Sequence, residues 1–223
     1  MIARWDAPAL PVDARSLSEI RRYALLRDDR QADERIRRVL PQALKHVRGQ
    51  VCYTVCPVSC REETVSLGFT AVSSRSLCSL LSPASQCLVF ASTIGLDFDR
   101  LIRRTAQVST TDAFLLHAIG TERIEAVCDA FQASLRDQGM RLTRRFSPGY
   151  GDVPLNLQRD LFRFLDCPRQ IGLTLNDSLI MSPSKSVTAI LGILPLGSAE
   201  GDPARACANC GAADCIYRIS PCL

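Results

Sequence analysis

The segment from Arg144 to Pro154, RRFSPGYGDVP, holds the residues best suited to binding chemistry in this 223-residue chain. Gly149 and Gly151 flank Tyr150, and Pro148 and Pro154 stiffen the two ends. Glycine has no Cβ, so such a loop brings backbone amides and carbonyls close to a ligand. Arg145 offers a planar fork of donors that pairs with a carboxylate through two parallel hydrogen bonds. On spacing alone the same residues also make a proline–glycine turn with a surface arginine, and both readings stand at this point. A second cluster lies at the C-terminus, Cys207-x2-Cys210-x4-Cys215-x6-Cys222. Four thiolates at such spacings suit a zinc ion or an iron–sulfur cluster, although the pattern matches neither a zinc ribbon nor a bacterial ferredoxin run. The alternative is a reduced tail with no ligand.

Other chemistry finds little support. The two histidines, His46 and His117, fall in helical patterns, where a structural role is the simpler reading. The stretch Gly172 to Asp177, GLTLND, lacks the glycine spacing of a phosphate cradle. Cys52, Cys56 and Cys60 recur every four residues, which places them on one face of a strand and reads as core packing. Cys78, Cys87, Cys128 and Cys167 stand singly among apolar neighbours and read as small buried hydrophobes.

A net charge of +4, from 27 basic and 23 acidic residues, argues against a nucleic-acid partner. The first fifteen residues carry Arg4, Asp6, Asp13 and Arg15 and no apolar run, so no secretory signal is expected. The longest uncharged stretch, Ser76 to Leu96, contains Pro83, Gln86 and several serines and fails as a membrane span. These features predict a cytoplasmic protein that does not engage a membrane.

The elements that must position the loop follow from periodicity. Apolar residues spaced by three and four predict helices over Ser16–Leu26 and Ala32–Val47, with Pro41 a point of kinking or breakage in the second. The segment before Val12 reads as irregular. Period-two patterns predict strands at Val51–Val58 and Glu63–Gly68, and a buried strand is expected at Gln86–Ile94. Short helices are expected over Arg75–Leu81 and from that strand to about Thr105. The strongest helix runs from about Asp112 to Asp137, capped by Thr110 or Thr111, with Ile124, Val127, Phe131 and Leu135 on one stripe. Glu122, Glu125 and Asp129 cluster toward the other side. A strand at Leu142–Arg145, a helix over Leu155–Leu165, and strands at Ile171–Leu175, Leu179–Met181 and Ser186–Ile193 complete the core. This order lacks regular βαβα alternation and predicts an α+β fold. It comprises a single domain over residues 1–196 and a linker with a cysteine-rich tail over 197–223.

The sequence Arg145-Phe-Ser-Pro-Gly-Tyr150 resembles the Arg-x-x-Pro-Gly-Tyr motif of the activation domain of cobalamin-dependent methionine synthase. Ile171-Gly-Leu-Thr-Leu-Asn-Asp-Ser178, then Met181-Ser-Pro-Ser-Lys-Ser-Val187 and Gly192, resemble further elements of that family in the same order. Glu125-Ala-Val-Cys-Asp-Ala resembles its long-helix segment. The resemblance covers roughly residues 110 to 193. It implies a curved antiparallel sheet with flanking helices that binds S-adenosylmethionine and docks on a cobalamin domain during reductive remethylation of cob(II)alamin. Carried over by position, it implies that Arg145 holds the ligand's carboxylate and Glu125 its amino end. Ser147 and Gly149 would give backbone contacts, and Tyr150 would face the corrin. The chain resembles a free-standing form, which implies a separate cobalamin-bearing methionine synthase or other corrinoid protein as partner, with an electron donor still to be named. A second reading makes the protein an iron–sulfur electron-transfer and docking component for a corrinoid methyltransferase, with the cluster on Cys207, Cys210, Cys215 and Cys222.

Overall fold

The computed structural model describes residues 1–26 and 30–195. A four-stranded antiparallel sheet forms its middle layer, in the order β1 (Ala3–Asp6), β2 (Gln50–Pro57), β6 (Gln86–Thr93) and β9 (Ser186–Ile193). Strands β6 and β9 are nearly continuous apolar runs because both faces of the sheet are covered. On one face Val51, Leu88, Phe90, Ala189 and Leu191 meet helices α1 (Ala14–Tyr23), α2 (Arg30–Lys45), α4 (Leu96–Ala106) and α5 (Thr110–Asp137). On the other, Cys52, Cys56, Cys87, Val89, Ala91 and Ile190 meet α3 (Arg75–Leu81), α6 (Leu157–Leu165) and α7 (Cys167–Ile171). A small meander, β3 (Ser59–Arg61), β4 (Thr64–Ser66) and β5 (Ala71–Ser73), and a ribbon, β7 (Thr174–Leu175) with β8 (Met181–Ser182), finish the molecule. The fold is α+β with antiparallel sheets, as the element order predicts.

Helix α5 is the spine. Its 28 residues run about 42 Å at 1.5 Å per residue, and α1, α2 and α4 all pack against it. Phe131 anchors it to the sheet, with ring centroids 5.5 Å from Trp5, 4.9 Å from Tyr53 and 5.4 Å from Phe90. Glu122 and Arg123 form a buried ion pair on α5, and Arg123 also donates to the carbonyls of Leu10 and Pro11 and to Ser16 Oγ. A single guanidinium thus ties the N-terminal segment to the spine. Among the described residues, no helix is long and apolar enough to cross a membrane.

Several expectations are corrected. The segment before Val12 is not wholly irregular: Ala3–Asp6 adds an edge strand to β2, with Trp5 opposite Val51. Helix α1 begins two residues early, because Asp13 caps it by accepting from the Ser16 amide at 2.8 Å, and ends at Tyr23. Helix α2 continues through Pro41. The cap of α5 is Ser109, whose Oγ accepts from the Asp112 amide, so the threonines that follow lie inside the helix. Residues 167–171 form a helical turn where a strand was expected to start at Ile171. The strand predicted at Leu142–Arg145 is replaced by two isolated bridges, Leu142 to Ile193 and Phe146 to Ile190. Three residues on this segment therefore face two on β9, a bulge. Its cause is Thr143, whose hydroxyl accepts the Gly192 amide at 2.8 Å in place of a backbone carbonyl.

Candidate functional site

The bulge aims Arg145 off the edge of β9 and back over α5. Its Nη2 donates to Glu125 Oε2 at 2.8 Å and its Nη1 to Asp129 Oδ1 at 2.6 Å. Glu125 and Asp129 stand four residues apart, one helical turn, so a planar fork reaches both. Arg145 keeps 21% of its side chain exposed, Glu125 41% and Asp129 56%, so the acids rim a solvent-open site with the cation beneath them. Surrounding protein nonetheless removes enough water from Glu125 to push its carboxyl above the ordinary value of 4.5, with Arg145 opposing and Asp129 assisting. Cys128 lies fully buried below, its thiol pushed up to about 12 by that burial. Tyr23 at the end of α1 is the neighbour on the far side. Burial and the charge of Glu125 push its hydroxyl up to about 12, and the Arg22 guanidinium stacks 4.6 Å above its ring.

The loop after Arg145 is closed on itself. The Gly149 amide donates to the Val153 carbonyl, the Tyr150 amide to Ser147 and the Val153 amide to Tyr150. The Ser147 amide and the Gly149 carbonyl stay outside this internal set. Gly149 holds φ +87° and Gly151 φ +56°, left-handed values that glycine adopts at low cost. Tyr150 is 65% exposed at the tip. Asp152 locks the loop from behind: its carboxylate accepts from the Ser74 hydroxyl at 2.5 Å and from the amides of Arg75 and Ser76 at the start of α3. The Ser74 hydroxyl is the largest cause that lowers the Asp152 carboxyl to about 2, with the two amides adding to it.

Of the predicted binding residues, Glu125 and Arg145 are brought into direct contact, and Ser147, Gly149 and Tyr150 follow in one loop. Sequence reasoning missed Asp129, Tyr23 and Asp152. The spacing of Glu125 and Asp129 on one helix face was a signal available for the first. Asp152 lies within the stretch the sequence singles out, but its role, like that of Tyr23, arises from tertiary contact. Cys207, Cys210, Cys215 and Cys222 lie outside the described residues. Among the described residues no group of three metal-ligating side chains comes together. His46 Nδ1 lies 2.9 Å from the Gln42 carbonyl, and burial of His117 lowers its pKa.

The cysteines expected to stand singly do not all do so. Cys87, Cys78 and Cys167 are buried as predicted, but each meets one of the strand cysteines. Cys56 and Cys87 bring their sulfurs to 3.4 Å. Cys60 donates to the Cys78 carbonyl at 3.6 Å, and Cys52 interacts with Cys167. Among the described residues, the surface clefts include two beside these elements. One of about 460 Å³ runs between β5 and α6, bordered by Pro154, Arg159 and Arg163. The other, of about 520 Å³, is lined by Met1, Ile2, Cys56 and Phe164. Neither has Arg145 among its lining residues; the exposure of Glu125 and Asp129 makes the Arg145 site a shelf open to solvent.

No protein-family model and no curated protein matches this sequence. The fold does have a solved counterpart. A crystal structure of the MetH reactivation domain bound to AdoHcy superposes with a TM-score of 0.61 over 89% of this chain and 80% of that one, at 14% sequence identity. The chain shares its fold with the MetH reactivation domain.

Proposed function

We propose that this protein binds S-adenosylmethionine on the shelf formed by Arg145, Glu125 and the Ser147–Tyr150 loop. On this reading it serves as a reactivation component for a cobalamin-dependent methionine synthase that is a separate chain. The observation that carries the reading is the Arg145 fork set between two acids beside a glycine loop. A guanidinium has five N–H donors, and Glu125 and Asp129 take one each. Three remain for the carboxylate of an amino-acid ligand. Glu125 supplies negative charge for that ligand's ammonium, and the Ser147 amide and Gly149 carbonyl are free of the loop's own bonds. The solved neighbour, a domain with AdoHcy bound, supports the same ligand class.

On this reading the protein contributes position and not acid–base chemistry. The shelf is open, as a surface must be if the methyl group is to reach a cofactor held by another protein. Cobalamin on the partner would supply the cobalt chemistry, and exposed Tyr150 lies where the two surfaces would meet. The docking unit is assigned to residues 1–196. The tail over 197–223 is assigned a zinc ion or an iron–sulfur cluster on the donor chemistry of its four thiols. Iron and zinc analysis of anaerobically purified protein decides that assignment, and less than about a tenth of an equivalent of both removes it.

Titration calorimetry tests the central reading. Wild-type protein takes up one S-adenosylmethionine, and Arg145→Ala weakens that binding. Absence of binding at millimolar ligand overturns it. A mixture with oxidised methionine synthase, a reductant and S-adenosylmethionine then tests the partner: the methylcobalamin spectrum returns only when this protein is present.

A further inference from the structure

We propose that Cys56 and Cys87 form a redox-active dithiol that exchanges with small uncharged disulfides through the cleft over Cys56. The inference stands independently of the S-adenosylmethionine site, because none of the residues assigned to that site lines the cleft over Cys56. Cys56 and Cys87 are direct cross-strand partners in the β2–β6 pair. Such partners have Cα atoms about 4.5–5.5 Å apart, inside the range of about 4.4–6.8 Å that a disulfide spans without moving backbone. Their sulfurs are already within 3.4 Å, the separation of a near-attack arrangement.

The surroundings give the two thiols different roles. Strand β1 pairs with β2 only from Gln50 to Tyr53, so the far half of β2 lies beyond it. The cleft opens there, lined by Met1, Ile2, Val55, Pro57 and Phe164, with Cys56 among its walls. Thr54 donates to the Met1 carbonyl at 3.0 Å and holds the N-terminus beside it. Cys87 has no exposed surface and lies behind Cys56, sulfur to sulfur. The Cys87 thiol pulls Cys56 below the ordinary thiol value, with burial opposing. Cys87 itself is raised by Cys56 and by burial. Cys56 keeps 5% of its surface exposed and Cys87 none, so Cys56 is the thiol that an outside disulfide meets first, and Cys87 resolves. Neighbouring Cys60, pushed up to about 11 by burial and by Cys78, is the poorer nucleophile.

The exchange balances without a metal or cofactor. The Cys56 thiolate attacks one sulfur of R–S–S–R, forming a mixed disulfide and releasing one thiolate, which takes the Cys56 proton. Cys87 then attacks the Cys56 sulfur, the second R–S⁻ leaves and takes the Cys87 proton, and the Cys56–Cys87 bond closes. Two protein thiols are oxidised and one external disulfide is reduced to two thiols. The apolar lining favours an uncharged disulfide over a charged, peptide-like one.

The full chain in native buffer is treated anaerobically with bis(2-hydroxyethyl) disulfide, quenched in acid, alkylated, digested and mapped by mass spectrometry. The expected product is a Cys56–Cys87 cross-linked peptide while circular dichroism keeps the native spectrum. Cys87→Ala traps a 2-mercaptoethanol adduct on Cys56, and Cys56→Ala leaves Cys87 alkylatable. Oxidised glutathione reacts at least about tenfold more slowly. If Cys56 and Cys87 stay reduced in the folded wild type, the proposal fails whatever the variants do. Equal rates with glutathione disulfide overturn the part assigned to the cleft.

Discussion

Arg145 and Glu125 meet across 20 residues of sequence because a bulge beside β9 turns the arginine back over α5. The same fork takes Asp129 with its other arm. Asp129 thus occupies a donor position that a ligand's carboxylate would use, and it does so from a largely exposed site.

That geometry makes Asp129 a competitor. Asp129→Asn removes its charge and leaves only a neutral acceptor on Nη1, so it should tighten S-adenosylmethionine binding by up to about fivefold, the scale of an exposed ion pair near 1 kcal/mol. Arg145→Ala should weaken binding by about 1.5–3 kcal/mol, the value of a hydrogen bond to a charged group. Arg145→Lys should recover little of that loss, because an ammonium is a point charge without the fork. Calorimetry of the three variants settles the order. Weaker binding by Asp129→Asn would make Asp129 a ligand contact and reverse the argument.

Glu125 ties this site to pH. Its folded-state carboxyl is raised, chiefly by burial. A raised acid binds its proton more readily when folded, so its stabilising contribution is present below the ordinary value of 4.5 and is lost as pH rises through the folded value. Subtracting Glu125→Gln isolates the effect from the other carboxylates. The melting temperature of wild type relative to the variant should fall as pH is raised from below 4.5 toward neutrality. S-adenosylmethionine affinity should move the other way, because the ligand's ammonium needs the ionised acid. Parallel pH curves for the two proteins would remove Glu125 from the site.

How much of this was legible before the structure depends on how local each cause is. The periodicity of residues 112–137 gave α5, and the continuous apolar runs gave β6 and β9, because burial on every side leaves that mark in composition. The bulge at Thr143 was not legible. It depends on one hydroxyl replacing a carbonyl toward Gly192, and the local pattern still reads as a strand. The partners of Cys52 and Cys56 on β2 and of Cys60 on β3 were hidden for a related reason: Cys167, Cys87 and Cys78 come from three separate elements, so no spacing records their meeting. Arg145 and Glu125 were named through motif resemblance, but their contact with each other and the competing Asp129 came only from the helix geometry.

Asp152 is predicted to govern the loop without touching a ligand. It caps α3 through Ser74, Arg75 and Ser76, and that network holds its carboxyl near 2. A depressed acid contributes stability above its unfolded value of about 3.8 that is lost as pH falls toward 2. Asp152→Asn should therefore lower the melting temperature at pH 7, with the difference from wild type shrinking below pH 4. Amide exchange of residues 147–153 should quicken in the variant, and S-adenosylmethionine affinity should drop. Unchanged exchange with lowered affinity would mean that Asp152 acts on the ligand directly.

Arg123 tests the spine. Its side chain is 2% exposed and its partner Glu122 7%, and its remaining donors hold the Leu10 and Pro11 carbonyls. Arg123→Met keeps most of the volume but strands a buried carboxylate, a change that costs about 3–5 kcal/mol. For a domain of this size each kcal/mol shifts the melting temperature by about 2–4 °C, so a fall of roughly 6–20 °C is expected. The double variant Glu122→Gln, Arg123→Met should regain part of that loss, because the uncompensated charge is gone. The carbonyls of Leu10 and Pro11 lose their donor in both proteins, so proteolysis ahead of α1 should accelerate in both. A drop under about 1 kcal/mol for the single variant would mean that water already reaches Glu122, and that the β1–β2 pairing and Trp5 against Phe131 hold the N-terminal segment without Arg123.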